Sequence, residues 1–252
     1  MFPIASLAFV GGIVTGSFVG LVAHRLPRGR SIVGPRSVCD SCDAQIAAHD
    51  NVPVFSWLRL RGRCRNCGAR IPLRYLLIEL AVGGAFALSA VVLHGDPGQL
   101  ALGLLFVTML AAVTLTDLDR RVIPNRILLA GAIAALVVAA VIDPSSLPER
   151  AIAAAAAGGV LLVIGLAYPQ GMGMGDVKLA AVMGLYLGSS VAPALLVGVF
   201  SGAVVGLGVM LARGSEARKL ALPFGPFLAL GGVVGLLMGD QMIDWYLNAF
   251  VR

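Results

Sequence analysis

The chain is poor in charge. Only 13% of its 252 residues are Asp, Glu, Lys or Arg, about half the share of an ordinary soluble domain. Disorder needs the opposite balance, with much charge and little apolar surface, so it is excluded. A soluble globule is excluded too. Hydrophobic residues make up 58% and the mean hydropathy is +0.92, more apolar surface than a chain of this length can hide from water. The apolar runs lack the polar–apolar alternation of a membrane barrel. No basic residue precedes the first apolar run, the first being Arg25 behind it. A cleaved secretory signal carries its positive charge in front, so this run reads as a membrane anchor with a translocated N-terminus. Histidine is scarce as well, and His24, His49 and His94 are scattered without a metal-ligand spacing.

What remains is an all-α polytopic membrane protein with about eight transmembrane helices. Apolar segments lie at 2–23, 75–93, 98–116, 124–142, 151–168, 177–189, 192–212 and 223–243, the sixth short and opening on Lys178. The net charge of +6 in a soluble chain would suggest nucleic acid. Here the distribution explains it without a nucleic-acid partner. With the N-terminus outside, the cytoplasmic segments hold Arg25, Arg28, Arg30, Arg36, Arg59, Arg61, Arg63, Arg65, Arg70 and Arg74 in the first, then Arg120, Arg121, Arg126, Lys178, Arg213, Arg218 and Lys219. Only Arg150 and Arg252 fall on the other side. Positive loops stay in the cytoplasm, so both termini are expected outside. The expected domains are a first transmembrane helix (1–23), a cytoplasmic four-cysteine zinc-binding domain (24–74) and a transmembrane core (75–252).

All four cysteines sit in the 51-residue stretch 24–74, as Cys39-Asp-Ser-Cys42 and Cys64-Arg-Asn-Cys67 with 21 residues between the pairs. Two such knuckles can close a tetrahedral four-thiolate zinc site. Gly68 behind the second lets backbone amides turn toward sulfur, and nearby arginines are expected to favour the thiolates. Two disulfides or four independent thiols are the blander readings, and a cytoplasmic loop disfavours the first. A polar insert with little core of its own gains from a metal staple.

Carboxylates at membrane depth are costly and point to function. Asp96, Asp143, Glu149, Asp240 and Asp244 lie at outer ends, where a solvated turn or helix end accounts for them. Glu79 sits in the first turns of the second span, with Arg74 its nearest ordinary partner. Asp117, Asp119 and Asp176 gather at the cytoplasmic edge. Asp117 ends an apolar run and opens Asp117-Leu-Asp-Arg-Arg-Val-Ile-Pro124-Asn125. Asp176 closes Gly171-Met-Gly173-Met-Gly175-Asp176, where the missing side chains of Gly173 and Gly175 admit a close backbone. Asp117 and Asp119 stand roughly 200° apart on a helix, so only one faces a given cleft. Asp117 adjoins the span and is preferred, while Asp119 reads as the partner of Arg120 and Arg121. Two acids from different spans at one depth suit an aspartic peptidase, one activating water and the other, protonated, polarising the peptide carbonyl. The competing readings are an ion or proton transporter using the same acids, and a zinc-knuckle scaffold without chemistry.

These motifs together resemble the bacterial type IV prepilin peptidases, also called leader peptidase/N-methyltransferases. The resemblance runs over nearly the whole chain. It covers Gly16-Ser17-Phe18 and Arg25-Leu26-Pro27, the knuckles, Asp50-Asn51-Val52-Pro53 through Leu60-Arg61-Gly62-Arg63, and Arg74-Tyr75 with Glu79-Leu80. It continues through Ile123-Pro124-Asn125, the GxGD run with Lys178, and Leu222-Pro223-Phe224-Gly225-Pro226-Phe227. It implies a GxGD aspartic membrane peptidase of the bacterial inner membrane, with Asp117 and Asp176 catalytic. Gly173, Gly175, Lys178, Pro124 and Asn125 would shape the site, and Glu79 and Gly62 would serve methyl transfer or the loop. The implied substrates are type IV prepilins or pseudopilins, cut on the cytoplasmic side after a short basic leader, in pilus or type II secretion pathways. The implied second activity is N-methylation from S-adenosylmethionine; proteolysis itself needs no cofactor. The chain departs from the family pattern at Gly20 (Asn), Asp40 (Pro) and Leu76 (Pro).

Overall fold

The computed structural model describes residues 2–29, 31, 33–34, 37–168, 172–213 and 222–250. Arg30, Arg36, Gly171, Arg218, Lys219 and Arg252 lie outside these. The regular elements of the described residues are helices, with two isolated β-bridges, Val38 to Gln45 and Arg63 to Arg70. The backbone divides into two compact units, Met1–Val91 and Val92–Arg252.

The first unit contains α1 (Phe2–Arg25), the short α2 (Phe55–Arg59) and α3 (Leu73–Val92), with the cysteine loop between α1 and α3. Gly12 and Gly16 fall one turn apart on α1. A Cβ at Gly12 would stand 2.8 Å from the Cα of Gly83, and one at Gly16 the same distance from the Cα of Glu79. In lipid there is no hydrophobic drive between helices, so close backbone approach through small residues supplies the packing.

The second unit contains α4 (Pro97–Arg120), α5 (Asn125–Ile142), α6 (Leu147–Ala167), α7 (Met174–Leu187), α8 (Val191–Arg213) and α9 (Gly225–Phe250). Helix α4 starts as its sequence dictates: Asp96 accepts the N–H groups of Gly98 and Gln99 at 2.9 and 3.0 Å, with Pro97 in the first turn. It is the most enclosed span, and Phe106, Leu110, Val113 and Thr116 are almost fully buried. Phe106 stacks on Tyr186 of α7 at 4.8 Å between centroids, and the Tyr186 hydroxyl donates to the Gly131 carbonyl of α5 at 2.8 Å.

Among the described residues, seven stretches are long and apolar enough to cross a membrane, Met174–Ala212 counting as one. That stretch breaks at Gly188–Ser190 into α7 and α8. The two run antiparallel: α7 descends beside α9, with Met183 and Asp176 at the levels of Gly232 and Gly225, whereas Gly202 of α8 lies against Phe224 and Ala194 against Gly231. The short sixth segment expected from the sequence is therefore α7, at 14 residues. Arg150, one of the two positive charges expected outside, is buried. It donates to the carbonyls of Leu185 and Tyr186 at 3.0 and 2.7 Å, closing the C-terminal end of α7.

The α6–α7 contact has no room for a larger residue at Gly184, whose Cβ would lie 2.5 Å from the Ala154 nitrogen, while Gly159 on α6 faces open space. Gly184→Leu is expected to destabilise the protein by about 1–3 kcal/mol, read as a lower midpoint of thermal unfolding in detergent, with Gly159→Leu close to wild type. Equal midpoints would contradict this packing.

Candidate active site and metal centre

Asp117 lies in the last turn of α4, only 6% exposed. The helix ends because Arg121 takes a left-handed conformation (φ 54°), its N–H reaching the Asp117 carbonyl at 2.8 Å. The Asp117 side chain reaches the start of α9, where its Oδ2 accepts the Gly225 N–H at 2.8 Å. Residue 225 must be glycine for this. A Cβ there would stand 2.8 Å from the same oxygen. Asp176 lies in the first turn of α7, 9% exposed, and its Oδ2 accepts the Gly173 N–H at 3.2 Å. Each acid thus meets the N-terminus of a helix, where unsatisfied amides and the helix dipole favour a carboxylate. The two lie within electrostatic reach of each other. Among the described residues, neither Oδ1 has a hydrogen bond to another residue.

The surrounding residues assemble as a frame. Gly175 lets the turn before α5 close onto α7, because a Cβ would come within 3.0 Å of the Ile123 Cβ. Pro124 precedes α5 in an extended conformation, and its carbonyl accepts the Ile127 N–H at 3.0 Å. Lys178 donates to Asn125 Oδ1 at 3.0 Å, tying α7 to α5. Lys178 and Asn125 thus tie the helix that carries Asp176 to the start of α5, where Pro124 stands as its N-cap. The Gly225 amide is the contributor that the sequence reading quoted without assigning. Its signal is a lone glycine between Phe224 and Pro226 at the start of an apolar run.

In the first unit the sulfur atoms of Cys39, Cys42, Cys64 and Cys67 lie within 4.8 Å of one another, with Cys39 and Cys67 Sγ 3.9 Å apart. A zinc tetrathiolate with bonds of about 2.3 Å sets its sulfurs about 3.8 Å apart, so the cluster fits such an ion, and a disulfide is far from formed. The knuckles are built alike. Cys39 donates to Ala44 O and accepts from the Asp43 N–H, just as Cys64 donates to Ala69 O and accepts from the Gly68 N–H. Asp43 and Gly68 both take positive φ, 53° and 71°. The first knuckle thus places at its turn an Asp, which tolerates this conformation better than most side chains. The amides of Cys67 and Asn66 pull the Cys64 thiol down to about 7. Cys42, against the opposing pull of the Ala44 amide, is pushed up to about 12 by the thiols around it and by desolvation. Backbone amides, rather than the expected arginines, set the Cys64 thiolate. The neighbouring Arg65 is engaged elsewhere, donating from Nε and Nη2 to the two oxygens of Asp50 at 2.6 Å each. That pairing holds the Asp50 carboxyl below the usual carboxylate range.

Glu79 is buried and does not pair with Arg74. Its Oε2 accepts the Val54 N–H at 2.7 Å, and Arg74 instead lies over the Tyr75 ring, 5.4 Å from its centre. Gly62 holds positive φ (64°) under Trp57, where a Cβ would stand 2.7 Å from the indole. Its N–H donates to the Trp57 carbonyl at 2.8 Å.

Two family patterns match the chain: "Bacterial Peptidase A24 N-terminal domain" over residues 10–93 and "Type IV leader peptidase family" over residues 104–210. No solved structure matches it. It is 36% identical to the prepilin leader peptidase/N-methyltransferase of Aeromonas hydrophila over 276 aligned positions, covering 98% of this chain and 94% of that protein. It is 34% identical to the protein of the same name from Bacillus subtilis (strain 168), covering 96% and 98%. A further relative of that name, from Stutzerimonas stutzeri, is 35% identical over 96% of this chain. The acid pair in the second unit and the cysteine cluster in the first fall one in each matched pattern, and the chain belongs to the type IV leader peptidase family, Peptidase A24.

Proposed function

We propose that the chain is a multi-pass inner-membrane aspartic endopeptidase that removes the basic leader of type IV prepilins or pseudopilins, then methylates the new N-terminus. The observation that carries the proteolytic part is the meeting of Asp117 and Asp176 at the N-termini of α9 and α7. With each Oδ2 fixed by an amide, the two Oδ1 atoms are left for chemistry. A pair of neighbouring carboxyls shares one proton. The ionised member takes a proton from water as the water attacks the scissile carbonyl carbon. The protonated member donates to the carbonyl oxygen, and the tetrahedral intermediate collapses as the leaving amine gains a proton. Carboxyls and water suffice for this sequence. The frame of Gly173, Gly175, Lys178, Pro124 and Asn125 positions the acids and admits an extended leader junction.

The excess of basic residues in loops on one side supports an outside placement of both termini, with the acids and the cysteine loop at the cytoplasmic face. Helix α7, at 14 residues, is about 21 Å long against a hydrocarbon thickness of about 30 Å. Its outer end is tied at Arg150, so Asp176 is drawn below the cytoplasmic boundary. A prepilin helix in the bilayer then has only to extend its leader junction to reach the acids. In the first unit Cys39, Cys42, Cys64 and Cys67 would hold a structural zinc ion. S-adenosylmethionine supplies a sulfonium methyl group, which leaves a neutral thioether when an amine takes the methyl and sheds a proton.

In membranes with a co-expressed prepilin, Asp117→Asn and Asp176→Asn are each expected to lower cleavage about 100- to 10,000-fold while the protein stays in the membrane. Cleavage at the wild-type rate by either variant, read from the product N-terminus, would end the assignment. Gly225→Ala is expected to cost about tenfold or more in cleavage rate, as expected from loss of one hydrogen bond to a charged group, although residue 225 carries no chemistry. Purified protein should contain one zinc ion per chain by elemental analysis. Cys64→Ser should lose it and unfold at lower temperature, and zinc-free wild-type protein would refute the metal assignment.

A further inference from the structure

We propose that Arg150 and Asp240 are positioning residues for the peptidase, acting from the end of the second unit opposite the acids. They fix where α7 stands along its axis against α9, and with it the place of Asp176 relative to Asp117. This rests on the peptidase reading above and goes beyond it. Both residues sit at the far end of α7, whose 14 residues span about 21 Å, so neither takes part in the chemistry.

The contacts converge on one short link, Gly188–Ser190, between α7 and α8. From α6, Arg150 Nη1 donates to the carbonyls of Leu185 and Tyr186, the last full turn of α7, while its Nε donates to Ser146 Oγ at 3.0 Å. Glu149, beside it, accepts the Ser189 N–H at 3.1 Å. From α9, Asp240 Oδ1 accepts the hydroxyl of the buried Ser190. Gly239 makes room for that bond, because a Cβ there would stand 2.5 Å from the Ser190 Cβ. The end of α7 is thus tied to α6 and, through the link, to α9.

Arg150 is an expensive way to close a helix. It is 7% exposed, and among the described residues no carboxylate forms an ion pair with it. The carbonyls and the negative end of the α7 dipole are what make the charge tolerable. A buried charge is a poor device for stability and a better one for register, because its bonds are strong and directional.

Register matters because the acid end has no such tie to α9. Asp176 takes the N–H of Gly173 at the start of its own helix, whereas Asp117 takes that of Gly225 on α9. Lys178 joins α7 to α5, not to α9. Further along, α9 meets α7 at Gly232, whose Cβ would stand 3.3 Å from Met183 Cε. A glycine raises no ridge to interlock, so this contact sets the spacing of the helices and resists sliding weakly. Leu179, Ala180 and Met183 are fully buried, so α7 moves as a rod and carries a shift at one end to the other. A misplacement of about 1 Å at reacting groups can cost about 100-fold in rate.

The test uses the full chain in lipid nanodiscs with a prepilin substrate. Arg150→Met removes the charge and the donors, and Asp240→Leu removes the acceptor for Ser190. Each is expected to lower kcat at least about tenfold while KM stays within about twofold, the mark of an interaction felt only in the transition state. A junction peptide carrying a secondary alcohol in place of the scissile bond should weaken by the same factor as kcat/KM. Arg150→Lys and Asp240→Asn, which keep a cationic donor and an acceptor, should recover most of the loss. Thermal midpoints report folding, and Asp240 is exposed, so its variants test the claim even where Arg150→Met fails to fold. Wild-type kcat in folded Asp240→Leu, a rise in KM at unchanged kcat, or a loss that the conservative variants do not recover would overturn the positioning role and leave the peptidase reading intact. A wild-type chain that cleaves no prepilin, or cleavage at the wild-type rate by Asp176→Asn, would overturn the peptidase reading itself.

Discussion

A carboxyl group at membrane depth must find hydrogen-bond donors in the protein, because lipid offers none and an unsatisfied charge there is costly. The second unit meets this constraint with backbone. The starts of α7 and α9 are helix ends whose amides would themselves be orphaned, and each is set against one aspartate. The Gly225 N–H on Asp117 and the Gly173 N–H on Asp176 satisfy acid and helix end together. Much of the local architecture follows. Helix α4 ends within a turn after Asp117, α7 begins two residues before Asp176, and Gly225 has no side chain because one would occupy the place of the acid. Among the described residues no basic side chain forms an ion pair with either acid, although Arg121 lies within electrostatic reach of Asp117; Lys178 in the motif is bonded to Asn125. Each acid is held by a fixed amide on one oxygen, which is what the proposed chemistry requires of it.

The second constraint is closeness of helices. Small residues bring α6 to α7 at Gly184 and α8 to α9 at Gly231, and bring α1 to α3 at Gly12 and Gly16 in the other unit. The 32 glycines of the chain thus do different work by position. Those at the helix crossings set interaxial distance, Gly225 and Gly175 clear space at the acids, and Gly62 and Gly68 allow turns in the cysteine loop. Buried polar groups at the far end of the second unit are satisfied as economically. Arg150 closes α7 and Ser190 donates to Asp240 at 2.5 Å, so the short helix is anchored at the end opposite Asp176.

The spans, the paired knuckles and the two acids were legible in the sequence because each is a local signal. An apolar run, a CxxC spacing and a carboxyl next to a run of glycines need no tertiary knowledge. Helical rotation keeps Asp117 and Asp119 from facing one cleft, and the adjoining apolar span is the local signal that favours Asp117. The partners were not legible. Gly225 is 108 residues from the acid it serves, and nothing in its neighbourhood names that acid. Arg74 is a plausible partner for Glu79 by proximity in sequence, yet the carboxyl turns to the Val54 amide across the cysteine loop. The turn at Asp43 escaped for a related reason. A glycine marks positive φ in the second knuckle, while the first uses an aspartate that reads as an ordinary loop charge.

The central claim is that Asp117 and Asp176 act on one peptide bond. The most direct measurement is a structure of the protein with a prepilin-junction peptide whose scissile bond is replaced by a secondary alcohol, a mimic of the tetrahedral intermediate. The account predicts the hydroxyl within hydrogen-bond distance, about 2.5–3.0 Å, of Oδ1 of both aspartates, with the Gly225 and Gly173 amides still on the Oδ2 atoms. A hydroxyl held by only one of them, or bound away from both, would contradict it.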